Sequence, residues 1–232
     1  APGNSAHQLF QTSDLARQRP DGAMVLLGRS DFQIKVRGFL VDMPEVEAAL
    51  RSHPGIRDAL IHPATEESGQ RRLIAYVVPE GKNALMVDEL RSFLAPRLAD
   101  YMIPAAFVEL PSIPLMPNGK VDRGALPLPP QNRPKLSTTY QAPGTPIEKA
   151  LSGIWAETLG LPRVGIHDNL FDLGGHSLLA AQAVNRINQE LESAITLRHL
   201  FDTPTVSGLA LVVLEQLLTS HVELDFPPAE VL

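Results

Sequence analysis

The chain has 232 residues, 44% of them hydrophobic and 20% charged, which is the balance of a globular protein long enough for two modest domains. It contains no cysteine, which excludes disulfides and thiolate zinc sites, and no apolar run approaches the roughly 20 residues that cross a bilayer, so we expect a cytoplasmic protein without a metal site or membrane span. The net charge of −6 is unevenly placed, with four basic and eleven acidic side chains in residues 145–232, which argues against nucleic-acid binding by bulk electrostatics.

The first half of the chain alternates between strand and helix patterns. The apolar runs are short and are separated by turn-forming or charged residues. We predict strands at residues 34–37, 58–62, 72–78 and 107–110, and helices at residues 45–52 and 87–98. So few strands interleaved with helices predict a small α+β layer.

Two stretches of this half carry polar residues at turns. They are residues 28–39, GRSDFQIKVRGF, and residues 117–123, PNGKVDR. Taken alone, Asn118-Gly119 indicates a tight turn and Lys120 an exposed lysine. The basic residues of the first stretch are equally consistent with a solvated face of a strand. Neither stretch alone identifies a function.

A proline-rich segment divides the chain at residues 126–146. Such proline density blocks helix interiors and favours an extended, semi-rigid backbone. This segment is therefore predicted to be a linker.

Helix patterns fill the region after the linker. Thr145, Pro146 and Glu148 form a capping box with proline at the first helical position, and Gly160 marks the end of that helix. Further helices are predicted at residues 177–191, 197–201 and 206–218. The predicted inward side chains are Ile147, Leu151, Ile154, Trp155 and Leu159 in the first helix and Leu178, Ala181, Val184 and Ile187 in the second. The prediction is an all-α four-helix bundle.

The start of the second bundle helix carries the most informative motif, residues 168–178, DNLFDLGGHSL. The two glycines before His176 allow a tight, exposed turn, and Ser177 falls near the helix N-terminus. Free backbone N–H groups and the helix dipole at this end favour a covalently attached phosphate. A lone serine here would ordinarily be read as a helix cap.

The eleven-residue motif closely resembles the attachment site of acyl and peptidyl carrier domains. In that family the serine carries a 4′-phosphopantetheine arm whose thiol holds an acyl group as a thioester. The histidine before Ser177 resembles the peptidyl subtype of nonribosomal peptide synthetases. The resemblance implies that Ser177 is an attachment point. A hydrolase using Ser177 as nucleophile is disfavoured, because no Asp–His pairing accompanies it.

Residues 9–130 resemble the C-terminal subdomain of adenylate-forming enzymes, specifically of nonribosomal peptide synthetase adenylation domains. The resemblance implies that Lys120 is the catalytic lysine that reaches the substrate carboxylate and the α-phosphate of ATP, and that Asp31 is the hinge. It also implies that Gly38 borders the entrance for the pantetheine arm. Asp14 matches the residue that binds the ribose hydroxyls, with Arg29 nearby.

These resemblances predict the domain organisation and the partners. The predicted parts are the end of the adenylation core or a lead-in at 1–30, the adenylation C-terminal subdomain at 31–126, the linker at 127–144, the carrier domain at 145–220 and an acidic tail at 221–232. ATP and Mg²⁺ would be used only together with the adenylation core subdomain, whose phosphate loop this sequence lacks, so the chain is not expected to adenylate alone. Other implied partners are a phosphopantetheinyl transferase and condensation, thioesterase or tailoring domains.

An alternative is that the first domain is a catalytically silent pseudo-subdomain that serves as a structural platform for the carrier domain. Ser13 stands where the family has glycine, and Met43-Pro44 replaces the common Leu-Gly. Against this alternative, Lys120 is present in an intact loop.

Overall fold

The computed structural model describes residues 14–19, 21–29, 33–65, 69, 71–81 and 84–222, and for residues 14–17, 26–29 and 220–222 it describes the backbone alone. The predicted hinge Asp31 and most of the predicted tail lie outside the described residues. The elements follow the predicted order of an α+β part and then a helical part.

The α+β part is built from three small sheets. Its strands are β1 (Asp14–Gln18), β2 (Met24–Arg29), β3 (Gln33–Val36), β4 (Phe39–Asp42), β5 (Ile56–Thr65), β6 (Arg71–Pro79) and β7 (Ala106–Glu109), and its helices are α1 (Met43–Arg51) and α2 (Val87–Leu94). β1 pairs with β2 and β3 with β4, each antiparallel. The third sheet has the order β5-β6-β7, in which β6 and β7 are parallel.

The three-stranded sheet is covered on both faces, which explains why β6 is buried almost throughout. One face packs against α1 and α2 through a cluster that includes Leu50, Ile61 and Leu90. The other face packs against the chain after β7, where Val121 and Leu126 cover Tyr76. The segment that contains Lys120 is thus held by the core of the sheet.

In this part, one predicted helix is shorter than expected, and the strands β1, β2 and β4 were not predicted. α2 ends at Leu94 and not at residue 98, because Pro96 has no N–H to continue the helical ladder. β4 escaped prediction because Phe39 and Leu40 are both about half exposed, so the strand has no clear alternation.

The helical part is the predicted four-helix bundle. Its helices are α3 (Pro146–Leu159), α4 (Ser177–Leu191), α5 (Leu197–Asp202) and α6 (Val206–Val222). The Thr145–Glu148 capping box is present, and Gly160 ends α3 in the left-handed conformation with φ 65°. Trp155, the only tryptophan of the chain, is fully buried in the bundle core. None of the helices in the described ranges is long and apolar enough to cross a membrane.

The inward face of α4 differs from the predicted one. Ala180, Ala183, Val184 and Ile187 are buried, whereas Leu178 is 45% exposed. Both faces have helical spacing, and packing against α3 selects the one with the small alanines, which permit close approach. Leu178 is left on the surface beside Ser177.

A half-buried histidine, His62, makes the α+β part sensitive to acid. The Nη1 of Arg123 lies 3.3 Å from Nδ1 of His62 on β5, and a guanidinium can only donate, so Nδ1 accepts and the ring is neutral. Burial, and then the charge of Arg123, lowers the pKa of His62 below its ordinary value of 6.5. Burial also lowers the pKa of His53. The folded chain therefore binds these protons less tightly than the unfolded chain.

We predict that stability of the α+β part is full above pH 6.5 and falls as the pH drops below this value towards the lower pKa of the folded state. His62→Gln should flatten this dependence, whereas His167→Gln on the bundle should leave it unchanged. Denaturant unfolding followed by far-UV circular dichroism measures it, and Trp155 fluorescence identifies the transition of the bundle. Equal pH slopes for wild type and His62→Gln would show that His62 is not the source.

Candidate functional site

Ser177 is the first residue of α4, and its side chain is exposed. His176 before it is extended, with φ −147° and ψ 172°, and is 6% exposed. The first intrahelical bond runs from Ala180 N–H to the His176 carbonyl at 2.8 Å, so the amides ahead of it have no acceptor within the helix. A phosphate on Ser177 Oγ would lie at this positive end of the helix, and the residues fit the predicted group.

The loop before Ser177 is anchored on both sides. Leu170 N–H donates to the Pro204 carbonyl at 2.9 Å, and Asn169 forms a bridge with Thr205. Gly175 N–H in turn donates to the Leu170 carbonyl at 2.9 Å. Ser177 is therefore presented by a loop that is tied to the connection between α5 and α6.

The two glycines of this loop are required for different structural reasons. Gly174 has φ 101°, a conformation that side chains with a Cβ rarely adopt. Gly175 is buried, and a Cβ there would lie 2.6 Å from the Leu170 carbonyl oxygen. The expected exposed turn is thus wrong for Gly175, because close backbone packing requires that glycine.

Gly175→Ala should destabilise the carrier bundle by about 1–3 kcal/mol, because the added methyl group overlaps a backbone atom that cannot move freely. The matched control is Gly153→Ala in α3, where a Cβ meets nothing within 4 Å. In that helix interior alanine should stabilise by about 0.5–1 kcal/mol. Denaturant unfolding followed by Trp155 fluorescence measures both. Unchanged stability in Gly175→Ala would contradict the steric account.

Exposed apolar side chains occur next to Ser177 in α4 and also in α5. Leu178 is 45% exposed, and Phe201 of α5 is 51% exposed while its ring stacks on Phe171 with 5.1 Å between centroids. Large apolar groups on a surface are typical of an interaction site when they cluster. The prediction of an inward Leu178 concealed this feature.

A buried ion pair lies in the same motif, and sequence reasoning missed it. Asp168 is fully buried and pairs with Arg133 of the linker, with Nη2 to Oδ1 at 2.6 Å and Nε to Oδ2 at 2.8 Å. The two residues are 35 positions apart. Nothing in either local sequence indicates the partner. A burial pattern around Asp168 was the only available signal.

Lys120 lies at the tip of a hairpin. Met116 N–H donates to the Lys120 carbonyl at 2.7 Å, Gly119 has φ 79°, and Lys120 N–H donates to Asn118 Oδ1 at 3.1 Å. Backbone bonds thus hold the turn, while the Lys120 side chain is exposed. This arrangement leaves the ammonium group able to reach a ligand outside this chain.

The other predicted site residues lie on the small hairpins. Gly38 has φ 90° and follows Arg37 at φ 48° in the two-residue turn between β3 and β4. Asp14 and Arg29 are register partners of β1 and β2, so their backbones are adjacent, and their side chains are not described. Asp31 lies outside the described residues. Within the part of the chain that the structure describes, no hydrogen bond joins these residues or Lys120 to Ser177.

The carrier bundle meets the α+β part through the loop before Ser177. A Cβ on Gly174 would lie 2.9 Å from the Ala105 carbonyl oxygen, and that carbonyl also accepts from Arg91 Nη2 at 3.1 Å. Burial lowers the pKa of Arg91 to about 10, so the guanidinium stays charged at neutral pH. Burial raises the pKa of Asp172, and the positive charge of Arg91 partly offsets that rise. A cavity of about 500 Å³ lies beside this contact, lined by both parts and by the linker.

No group of three or more His, Asp or Glu side chains that could hold a metal ion occurs among the described residues. The reactive groups described at the predicted sites are the Ser177 hydroxyl and, on a separate hairpin, the Lys120 ammonium.

Two family models match the two parts of the chain. The AMP-binding enzyme C-terminal domain matches residues 45–120, and the phosphopantetheine attachment site matches residues 149–213. These matches fall on the α+β part and on the bundle with Ser177.

Relatives and a solved structure span both parts together. The chain is 46% identical over 208 residues to a dimodular nonribosomal peptide synthase of Bacillus subtilis, covering 90% of this chain and 9% of that protein. It is 43% identical over 212 residues to tyrocidine synthase 2 of Brevibacillus parabrevis, covering 91% of this chain and 6% of that protein. A solved holo NRPS protein containing adenylation and PCP domains, bound to a vinylsulfonamide inhibitor, aligns with TM-score 0.56 and 26% identity over 89% of this chain and 33% of that one.

The chain spans less than a tenth of the length of these two relatives. The two family models follow one another in the order of the two structural parts, and the match to the phosphopantetheine attachment site includes Ser177. The chain belongs to the nonribosomal peptide synthetase family and consists of the C-terminal subdomain of an adenylation domain followed by a phosphopantetheine-binding carrier domain.

Proposed function

We propose that the carrier domain holds an acyl or aminoacyl group on an arm attached at Ser177, and that the first domain is the mobile subdomain that serves adenylation in the same module. The observation that carries the proposal is the exposed hydroxyl at the first position of α4, inside the segment that matches the phosphopantetheine attachment site. When bound, 4′-phosphopantetheine supplies the thiol that this cysteine-free chain lacks.

The residues around Ser177 support attachment and presentation. The Ser177 Oγ provides the atom that would be esterified, and the helix N-terminus compensates the negative charge of a phosphate there. Gly174 and Gly175 shape the loop, and its bonds to the α5–α6 connection hold it in place. The exposed Leu178 gives partner domains an apolar contact next to the attachment point.

In the first domain we propose that Lys120 is the catalytic lysine of adenylation and Asp31 the hinge. A lysine on a backbone-braced turn can neutralise the charge that develops as pyrophosphate leaves. Asp14 and Arg29 are proposed to serve nucleotide binding, and the adjacency of their backbones across β1 and β2 supports a shared site. Gly38, in an exposed tight turn, is proposed to border the entrance for the arm.

From the sequence we propose the ranges 31–126 for the subdomain, 127–144 for the linker and 145–220 for the helices of the carrier. The adenylation core subdomain would supply the ATP site, and a phosphopantetheinyl transferase would modify Ser177. Condensation, thioesterase or tailoring domains would receive the carried group. Because ATP and coenzyme A are cytoplasmic metabolites, we place the module in the cytoplasm.

The direct test is to incubate the chain with a phosphopantetheinyl transferase and coenzyme A and to measure its intact mass. We expect the addition of one arm per chain, mapped by peptide mass spectrometry to Ser177. An unchanged mass, with a known carrier protein modified in the same reaction, would refute the proposal.

A further inference from the structure

We propose that Arg133 is a positioning residue that makes residues 133–141 part of the carrier domain, so that the carrier turns about residues 128–132 when it leaves the subdomain. Residues 133–141 are called the strap below. This proposal goes beyond the attachment role of Ser177, and it moves the start of the carrier unit upstream of the predicted boundary at 145.

The ion pair between Arg133 and Asp168 is the main attachment of the strap. Asp168 is 0% exposed and the Arg133 side chain 14% exposed, and the pair is bidentate, with two short charge-assisted bonds. Asp168 Oδ2 also accepts from Gly165 N–H at 2.8 Å. Without Arg133, the buried carboxylate of Asp168 would be left uncompensated, so loss of this contact would destabilise the carrier.

Other strap residues also pack on the carrier. Leu136 lies against the bundle core, and the Gln141 carbonyl accepts from Ile166 N–H at 3.0 Å. Arg133 Nη2 donates to the Thr138 carbonyl at 2.7 Å, which closes the strap on itself. Tyr140 lies 4.3 Å from the guanidinium of Arg163. The carrier therefore contacts the strap at both of its ends and at Leu136.

The subdomain contacts two residues of the strap, Lys135 and Ser137. Val87 N–H donates to the Lys135 carbonyl at 2.8 Å, Lys135 pairs with Glu109 at 3.0 Å, and Ser137 N–H donates to Asp88 at 3.0 Å. The Lys135 and Glu109 side chains are 60% and 31% exposed. An exposed ion pair contributes little in water, so the Lys135–Glu109 pair breaks more easily than the buried Arg133–Asp168 pair.

The turning point follows from the next fixed position upstream. Tyr76 of β6 donates its hydroxyl hydrogen to the Pro127 carbonyl at 2.8 Å, which holds residue 127 on the subdomain. Leu128 is 88% exposed, and none of the hydrogen bonds found in the described chain involves residues 128–132. Between Pro127 on the subdomain and Arg133 on the carrier, residues 128–132 are therefore the least restrained.

The wild-type chain tests the turning point without any substitution. In a ¹⁵N relaxation measurement, the amides of Leu128, Gln131 and Asn132 should have order parameters below about 0.6, and those of the strap about 0.85, the value of rigid backbone. A strap as mobile as residues 128–132 would overturn the proposal.

A paired substitution tests which domain holds the strap. Lys135→Ala removes the ion pair with Glu109, and Asp88→Ala removes the acceptor of Ser137 N–H. In the chain with both substitutions, the two domains should reorient independently, and the residual dipolar couplings of the strap should fit the alignment of the carrier. Couplings that fit the subdomain instead would overturn the proposal.

Arg133 itself is tested by amide hydrogen exchange in the full chain. In Arg133→Ala, exchange at Gly165 and Ile166 should rise at least about tenfold, because the unpaired Asp168 carboxylate no longer holds its loop. In Arg133→Lys, exchange at these amides should lie between the wild-type and Arg133→Ala values, because an ammonium cannot make the bidentate contact. Lys135→Ala, two positions along, should change neither amide.

A second change separates positioning from general destabilisation. Adding Asp168→Asn to Arg133→Ala removes the uncompensated charge, and at least half of the lost protection, on a logarithmic scale, should return. Exchange within about twofold of wild type in Arg133→Ala, or no recovery in the double variant, would overturn the role of Arg133. Modification of Ser177, measured by mass in the same samples, tests the proposed function independently.

Discussion

Ser177→Ala should abolish attachment of phosphopantetheine while leaving the carrier bundle folded. The variant lacks the Ser177 hydroxyl, which is the group that the transferase would modify. The side chain is exposed, and no hydrogen bond of its hydroxyl occurs within the described residues. Stability should therefore change by less than about 0.5 kcal/mol, the usual effect of a surface substitution.

Intact mass spectrometry after treatment with the transferase and coenzyme A measures the modification, and Trp155 fluorescence confirms the fold. The matched control is Ser207→Ala, which removes a serine from the first turn of α6, another helix of the same bundle. The control should acquire one arm like the wild type. An arm on Ser177→Ala would mean that a different residue is the attachment point.

Lys120→Ala should lower adenylate formation by about 10²- to 10³-fold when the chain is supplied with an adenylation core subdomain, amino acid and ATP. This magnitude is typical for loss of one group that stabilises developing charge in a transition state. The hairpin should survive, because its bonds are made by the backbone of Met116 and Lys120 and by the Asn118 side chain. ATP–pyrophosphate exchange measures the effect.

Lys149→Ala is a suitable control, since Lys149 is also an exposed lysine but lies on α3 of the carrier. It should leave the exchange rate unchanged, and both variants should still accept the arm at Ser177. Equal exchange rates in wild type and Lys120→Ala would favour the alternative that the first domain is a silent platform. The experiment thus decides between a working and a silent subdomain.

Several features of the fold were predictable because they depend on neighbours within one helical turn. The capping box of α3 joins Thr145 to Glu148, and Gly160 ends the helix through its own backbone conformation. The start of α4 at Ser177 is likewise local, since glycines precede it and a helical pattern follows. The sequence alone therefore determined the four-helix bundle and the position of the attachment serine within it.

Other features depend on which distant segment comes into contact, and no local pattern specifies that. The parallel pairing of β6 with β7 links strands that are separated by α2. Two faces of α4 had suitable spacing, and only packing showed that Leu178 is exposed. Close approach to Leu170 explains why Gly175 must be glycine.

By itself, the sequence predicted the phosphopantetheine arm and Ser177 as its attachment point, because the motif is a contiguous run of eleven residues around Ser177. Only the tertiary structure revealed the contacts that the linker makes with each of the two domains. The Arg133–Asp168 pair joins residues 35 positions apart, and only folding brings their side chains together. The physical reason is that a sequence pattern specifies contacts between near neighbours, whereas contacts between distant residues form only when the chain folds.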